Sequence, residues 1–216
     1  MMRTIVCFGD SNTYGADAVK QARYPRDVRW PGVMRRELGA DYEVIEEGLG
    51  GRTTMFVDPL GDDRSGAPYL QPCLWSHAPV DLVTIMLGTN DLKGIFRLHA
   101  SEIALGVGHL VDLARRSLAG PDGTSPRVLL IAPPPLAQIT ARSELWGFGS
   151  SLAESLRLAE HYAQIAEIRG AAFLDAGSVI VTSPADGVHF EADAHAALGR
   201  AVAVAVRAAL DGSADS

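Results

Sequence analysis

Cysteine is almost missing from this chain of 216 residues: Cys7 and Cys73 are the only two. Such a pair offers neither a disulfide framework nor a zinc-ligand spacing, and Cys7 falls in an apolar strand-like run, Cys73 in a helical one. A reducing cytoplasm is therefore expected. Basic residues are also scarce, with 19 Lys+Arg against 26 Asp+Glu, a formal net charge of −7 and a pI near 5.3. That balance excludes the electrostatic footprint of a nucleic-acid binder, and no basic amphipathic helix points to a membrane surface. No apolar run reaches the roughly eighteen residues of a membrane span. The apolar start at 4–8 is too short for a secretory signal and leads directly into residues that carry chemistry. Repeats, low-complexity segments and charge blocks are absent too, and residues 211–216 read as a frayed tail. The remaining partner class is a small molecule.

What is present is apolar content of 47% without a compositional break, enough for the core of one domain over residues 1–216. β-rich runs at 4–8, 42–46, 82–87, 128–132 and 172–174 alternate with helical patterns at 30–38, 101–118, 151–169 and 193–210, and a shorter helix is expected at 69–76. Such alternation predicts an α/β fold with a parallel sheet covered by helices on both faces, and the near-continuous apolar character of the strands agrees. Right-handed crossovers then gather the loops after the strands along one edge. Two connections, 54–68 and 133–150, are longer than a compact α/β unit needs.

The loops on that edge hold unusual residues. Ser11 follows the first strand in Gly9-Asp10-Ser11, Gly51 and Arg52 sit in the loop after the second, Asn90 and Asp91 follow the third, and Asp186-Gly187-Val188-His189 precedes the last helix. Acyl transfer needs a nucleophile, a base, an acid to orient it and donors for the developing oxyanion. Ser11, His189 and Asp186 fill the first three roles. The Ser11 and Gly51 backbone N–H groups and the Asn90 amide supply the donors. Each residue also has an ordinary alternative, Ser11 as a helix N-cap and Asn90 as a turn residue. In the second long connection Trp146 and Phe148, with Leu145, either wall an acyl pocket or pack on the core or another subunit. Tyr14 flanks the serine loop within reach of substrate, while Trp30 is expected in the core.

Taken together, Gly9-Asp10-Ser11, Gly51, Gly88-Thr89-Asn90-Asp91 and Asp186-x-x-His189 resemble the four blocks of the SGNH hydrolases, also called the GDSL family. The resemblance implies a three-layer α/β/α sandwich on a five-stranded parallel sheet, and it assigns the oxyanion donors to Ser11, Gly51 and Asn90 and the triad to Ser11, Asp186 and His189. The stretches 44–49, 52–54, 85–91 and 173–180 are similar to the bacterial aryl-esterase and acyltransferase branch. That branch implies short-chain or aryl ester hydrolysis through an acyl-enzyme, acyl transfer to alcohols or peroxide, no cofactor, no metal and a homo-oligomer. Sugar acetates, thioesters and lysophospholipids are served by the same kind of site. Two departures stand out: Asn12 follows the serine where the family name has Leu, and Glu46-Glu47-Gly48 replaces a stretch where many relatives carry Asn. Asp10, Arg52 and Asp91 either support these loops or are ordinary charges.

Two other readings compete. Ser11-Asn12-Thr13-Tyr14-Gly15 resembles a flavodoxin phosphate loop, which makes a flavin module the non-enzyme alternative. Asp10 with Asn90 and Asp91 resembles metallophosphoesterase loops, but Asp10 lacks a following D-x-H histidine and His195 is expected to face solvent. His77, His99, His109 and His161 have no partner in sequence and read as structural or exposed. If His189 is the base, ester turnover is expected to decline below about pH 6.5, where an ordinary imidazole takes up its proton. A rate that stays flat from about pH 5 to 8 would contradict that role.

Overall fold

A computed structural model describes residues 2–61 and 63–212. The described strands are β1 (Arg3–Gly9), β2 (Tyr42–Gly48), β3 (Leu82–Met86), β4 (Arg127–Ala132) and β5 (Ala172–Asp175), all parallel in the order β2-β1-β3-β4-β5. The helices are α1 (Ser11–Tyr14), α2 (Trp30–Leu38), α3 (Gly66–Ser76), α4 (Ala100–Arg116), α5 (Ala141–Ser143), α6 (Leu152–Ser155), α7 (Leu158–Arg169) and α8 (Ala192–Asp211).

The period-2 alternation of a strand divides the core at β1. Val6 and Phe8 pack with buried residues of α3, α4 and α7, whereas Ile5 and Cys7 pack with those of α2 and α8. Three layers result, as the alternating pattern predicts. The strand order reverses between β1 and β3, and a crevice opens outside the carboxyl ends of an α/β sheet at such a switch. Gly9-Asp10-Ser11 and residues 88–91 both leave the sheet there.

Edge strand β2 departs from the continuous apolar pattern because Glu43, Glu46 and Glu47 lie on it. Charge on an exposed edge discourages pairing with another chain. The helix expected over 151–169 is two helices, α6 and α7. The Ser155 hydroxyl donates to Leu152 O at 2.7 Å and accepts from Leu136 N at 3.2 Å, a local bond that competes with helix continuation. Asp211 ends α8 and receives a hydrogen bond from Arg3 at 3.3 Å; the rest of the expected tail, 213–216, lies outside the described residues. Among the described residues no helix is long and apolar enough to cross a membrane.

His195 corrects the expectation of a solvent-facing side chain. It is fully buried, and its Nδ1 accepts the Trp30 N–H at 3.3 Å, one of the free donors at the start of α2. Tyr24 and Phe190 meet its ring edge-on at 5.4 Å. Burial above all, with help from the nearby His189 and Arg29, lowers its pKa to about 4. An unfolded imidazole titrates near 6.5, so acid favours the unfolded chain: the contribution is whole above that pH and is lost as pH falls toward 4. Relative to His195→Asn, which keeps an acceptor for Trp30, the wild type is expected to lose about 2 kcal/mol between about pH 7 and pH 5 in urea unfolding. A gap that does not change with pH would refute the neutral, buried state.

Candidate active site

The turn after β1 is built by side chain and backbone together. Asp10 caps α1 by accepting the Asn12 N–H at 2.9 Å, which leaves Ser11 at the first helical position. Gly48 at the end of β2 lies so close to this turn that a Cβ there would come within 2.2 Å of the Tyr14 nitrogen. Ser11 Oγ is 2.9 Å from His189 Nε2, and His189 Nδ1 is 2.8 Å from Asp186 Oδ2. Asp186 Oδ1 accepts the backbone N–H groups of Val188 and His189, each at 2.9 Å. Burial works to raise the Asp186 carboxyl, but the hydrogen bonds from the His189 ring and from these two N–H groups prevail and hold it below the usual carboxylate range. The arrangement calls for Nδ1–H on the Asp186 side, leaving Nε2 to accept the Ser11 hydroxyl. A hydroxyl so placed can lose its proton as it attacks.

Asn12 joins the two turns, since its Nδ2 donates to Val188 O at 3.2 Å. Its only signal in the sequence is a buried-type amide at the start of a helix, which does not say what it reaches.

On the other side of Ser11 lies the 49–52 loop. Gly51 has φ +79°, in the left-handed region that glycine adopts without strain, and a Cβ on Gly50 would be 4.0 Å from Ser11 Cβ. Asn90 Nδ2 donates to Arg52 O at 3.1 Å, so one of its two amide hydrogens braces this loop. Arg52, almost wholly buried, donates from Nη1 to Gly9 O at 2.9 Å and to Glu47 O. Its guanidinium lies 4.2 Å from the Phe8 ring centre and 5.4 Å from that of Tyr69. Asp91 is also buried and accepts from Thr54 N at 3.0 Å and Thr54 Oγ1 at 2.6 Å. Burial pushes the Asp10 and Asp91 carboxyls up to about 6 in each case, against the hydrogen bonds that each accepts. Arg52, Asp10 and Asp91 are therefore internal struts rather than surface charges. The Glu46-Glu47 departure has partners as well: Glu46 pairs with Arg29 at 3.2 Å, and Glu47 with His77 at 2.9 Å.

The second long connection divides its aromatics. Trp146 meets the His189 ring edge-on at 5.5 Å, whereas Phe148 is 2% exposed and belongs to the core around α4 and α7. Phe148 thus does not wall the site. Trp146 is held there because Gly94 N donates to Gly147 O at 2.8 Å and Ser151 Oγ to Leu92 O. Two hollows meet at Trp146. One, of about 370 Å³, is lined by Tyr14, Asp17, Gln21, Arg23, Trp146 and His189; the other, of about 360 Å³, by Gly51, Asp58, Arg64, Ile95 and Leu145 among others. Arg23 stacks over the Tyr14 ring at 4.0 Å.

This geometry disfavours both competing readings. The Asp10 carboxylate occupies the N-terminal end of the four-residue α1, where a flavin phosphate would need free N–H groups. Asp10 and Asp91 are buried in other hydrogen bonds and do not present a metal-ligating face.

Residues 7–197 match the sequence model of the GDSL-like Lipase/Acylhydrolase family. The chain belongs to that family. Solved structures similar to this SGNH protein include Est24, a carbohydrate acetylesterase from Sinorhizobium meliloti, at 42% identity and TM-score 0.91 over 95% of this chain and 99% of that one. The aryl esterase of M. smegmatis is 43% identical, with TM-score 0.90 over 96% of this chain and 100% of its own. An acetylxylan esterase of Xylanibacter ruminicola is 27% identical over 146 residues, 61% of this chain, and the match spans 28% of that protein's length. The reaction class that follows is carboxylic ester hydrolysis.

Both carbonyls are bonded by the one nitrogen Nη1, and lysine would replace the planar guanidinium that faces the Phe8 and Tyr69 rings with a compact ammonium. Arg52→Lys is therefore expected to lower p-nitrophenyl acetate turnover by roughly ten- to a hundredfold through displacement of the 49–52 loop, with an unchanged far-UV dichroism spectrum. Wild-type turnover in this variant would show that the loop does not depend on the guanidinium.

Proposed function

We propose that the protein is a single-domain serine esterase for short-chain or aryl esters, acting through an acyl-enzyme without cofactor or metal. The Asp186–His189–Ser11 hydrogen-bond chain carries this reading. Ser11 Oγ attacks the ester carbonyl carbon while its proton passes to His189 Nε2. Asp186 holds the imidazole orientation and stabilises the imidazolium. Backbone N–H groups of Ser11 and Gly51, with the Asn90 amide, receive the developing oxyanion. On collapse His189 returns the proton to the departing alkoxide, so the alcohol part of the substrate lies on the His189 side. The hollow lined by Tyr14, Arg23 and Trp146 receives it. Water then attacks the acyl-enzyme by the same proton route, or an alcohol or peroxide does so in acyl transfer.

A sugar acetate is the second reading. In the alcohol-side hollow two aromatic side chains, Tyr14 and Trp146, stand with the polar Asp17, Gln21 and Arg23, a mixture that suits a hydroxylated ring as well as an aryl one. The similarity to Est24 supports it. We also propose a homo-oligomer in a reducing cytoplasm. Leu60 and Leu145, 85% and 87% exposed on the two long connections, favour coverage by another copy, and both cysteines are free thiols.

Ser11→Ala is expected to abolish hydrolysis and labelling by a phosphonate probe on intact-mass analysis, and Asn90→Ala to cost about 10²–10³ in turnover. Wild-type rates should fall from p-nitrophenyl acetate to butyrate to octanoate. Turnover that survives in Ser11→Ala would reject the mechanism, and a preference for acetylated xylan over the aryl acetate would favour the second reading.

A further inference from the structure

Between the end of β2 and the end of α3, three side chains converge that the esterase mechanism does not use. Cys73 and His77 are four apart at the end of α3, so they share one face of the helix, and Glu47 reaches them from the end of β2. Their ligand-type atoms, a carboxylate oxygen, the Cys73 sulfur and an imidazole nitrogen, all lie within 4.8 Å of one another. His77 Nε2 is already 2.9 Å from Glu47 Oε1.

We propose that Glu47, Cys73 and His77 form a binding site for a thiophilic divalent cation of the zinc type, separate from the ester chemistry. The donor set is one thiolate, one imidazole and one carboxylate, and water completes a tetrahedron. With ligand bonds of about 2.0–2.3 Å, neighbouring donors in such a site stand about 3.5 Å apart. Only small movements are needed, and the Glu47 and His77 side chains, 20% and 28% exposed, have room to make them. Cys73 is almost wholly buried, so the ion enters from the Glu47 and His77 side. Burial, foremost, pushes the Cys73 thiol up to about 12 in the empty protein; on binding, sulfur gives its proton to solvent and the metal takes its place. Two anionic ligands then balance the dication. The neighbouring Arg52 guanidinium, whose Nη1 is held by the Gly9 and Glu47 carbonyls, faces a neutral centre. An ion here would tie α3 to the strand end from which the 49–52 loop departs.

The test is titration of the full-length, tag-free, reduced protein with Co2+, followed by Zn2+, in wild type, Cys73→Ser and His77→Ala. The expected result is a single equivalent of Co2+ with a near-ultraviolet sulfur-to-cobalt charge-transfer band that Zn2+ removes. The band should be absent from Cys73→Ser. In His77→Ala the affinity should fall at least about tenfold, since even outer-shell losses cost that much. Zn2+ should raise the melting temperature of the wild type and of neither variant. Three results overturn the proposal: no band in the wild type, a band that persists in Cys73→Ser and so belongs to Cys7, or unchanged affinity in His77→Ala. His77 is partly exposed and its replacement spares the core, so the last comparison decides even where Cys73→Ser fails to fold.

Discussion

One buried guanidinium holds the working edge of this molecule together. Arg52 bonds the carbonyl of Gly9 at the end of β1 and that of Glu47 near the end of β2. Gly9 O also accepts the Leu49 N–H at 3.1 Å, so the guanidinium adds a second bond there and ties that carbonyl to the one on the neighbouring strand. One guanidinium nitrogen, Nη1, bonds both at once. It also fixes the distance between the serine turn, which begins one residue after Gly9, and the loop that presents Gly51. The Phe8 and Tyr69 rings, whose centres are 6.3 Å apart, both lie against the guanidinium. The order of causes runs from strand ends to guanidinium to loop position, and the oxyanion donors of the proposed mechanism inherit their placement from it.

Beneath that edge the protein accepts an electrostatic cost. Asp10 and Asp91 are both fully enclosed, each is a carboxyl that burial pushes upward, and the charge of Asp10 raises Asp91 further. Each fixes a turn, Asp10 that of Ser11 and Asp91 that of Thr54, two residues beyond Arg52. Rigid turns here are worth more than the stability that an apolar residue would add. The geometry of the serine and of its neighbouring loop depends on them.

Much of the architecture could be read from the chain. The strand positions followed from short apolar runs ending in Gly or polar residues, and the reactive edge followed from the parallel topology that such alternation dictates. The hydrogen-bond chain of Ser11, His189 and Asp186 was legible because local motifs carry its members: a serine directly after a strand, and an Asp–His pair whose spacing lets the aspartate accept both the backbone N–H and the ring of the same histidine. What sequence could not supply was the direction of individual side chains across long separations. His195 was expected in solvent, yet it enters the core to cap α2, a contact 165 residues away in sequence. Trp146 and Phe148 are two residues apart, and only the three-dimensional path of their loop sends one to His189 and the other inward. The break between α6 and α7 turns on the Ser155 hydroxyl, which donates to Leu152 O and accepts the N–H of the distant Leu136, an arrangement with no periodic signature. For Arg52 and Asp91 the sequence left burial and surface equally open, because charged residues are usually exposed.

Ser11 and His189 meet across 178 residues of chain, and Asn12 locks their turns together. In the proposed mechanism the nucleophile precedes β2 in the chain and its base follows β5. During synthesis from the N-terminus, β1 to β4 emerge while the serine turn has no histidine to take its proton. On that mechanism a growing chain turns over no ester until the segment after β5 has folded against the serine turn. Ester turnover by that route reports that two turns far apart in the chain have come together, which makes it a stringent measure of folded protein in a preparation.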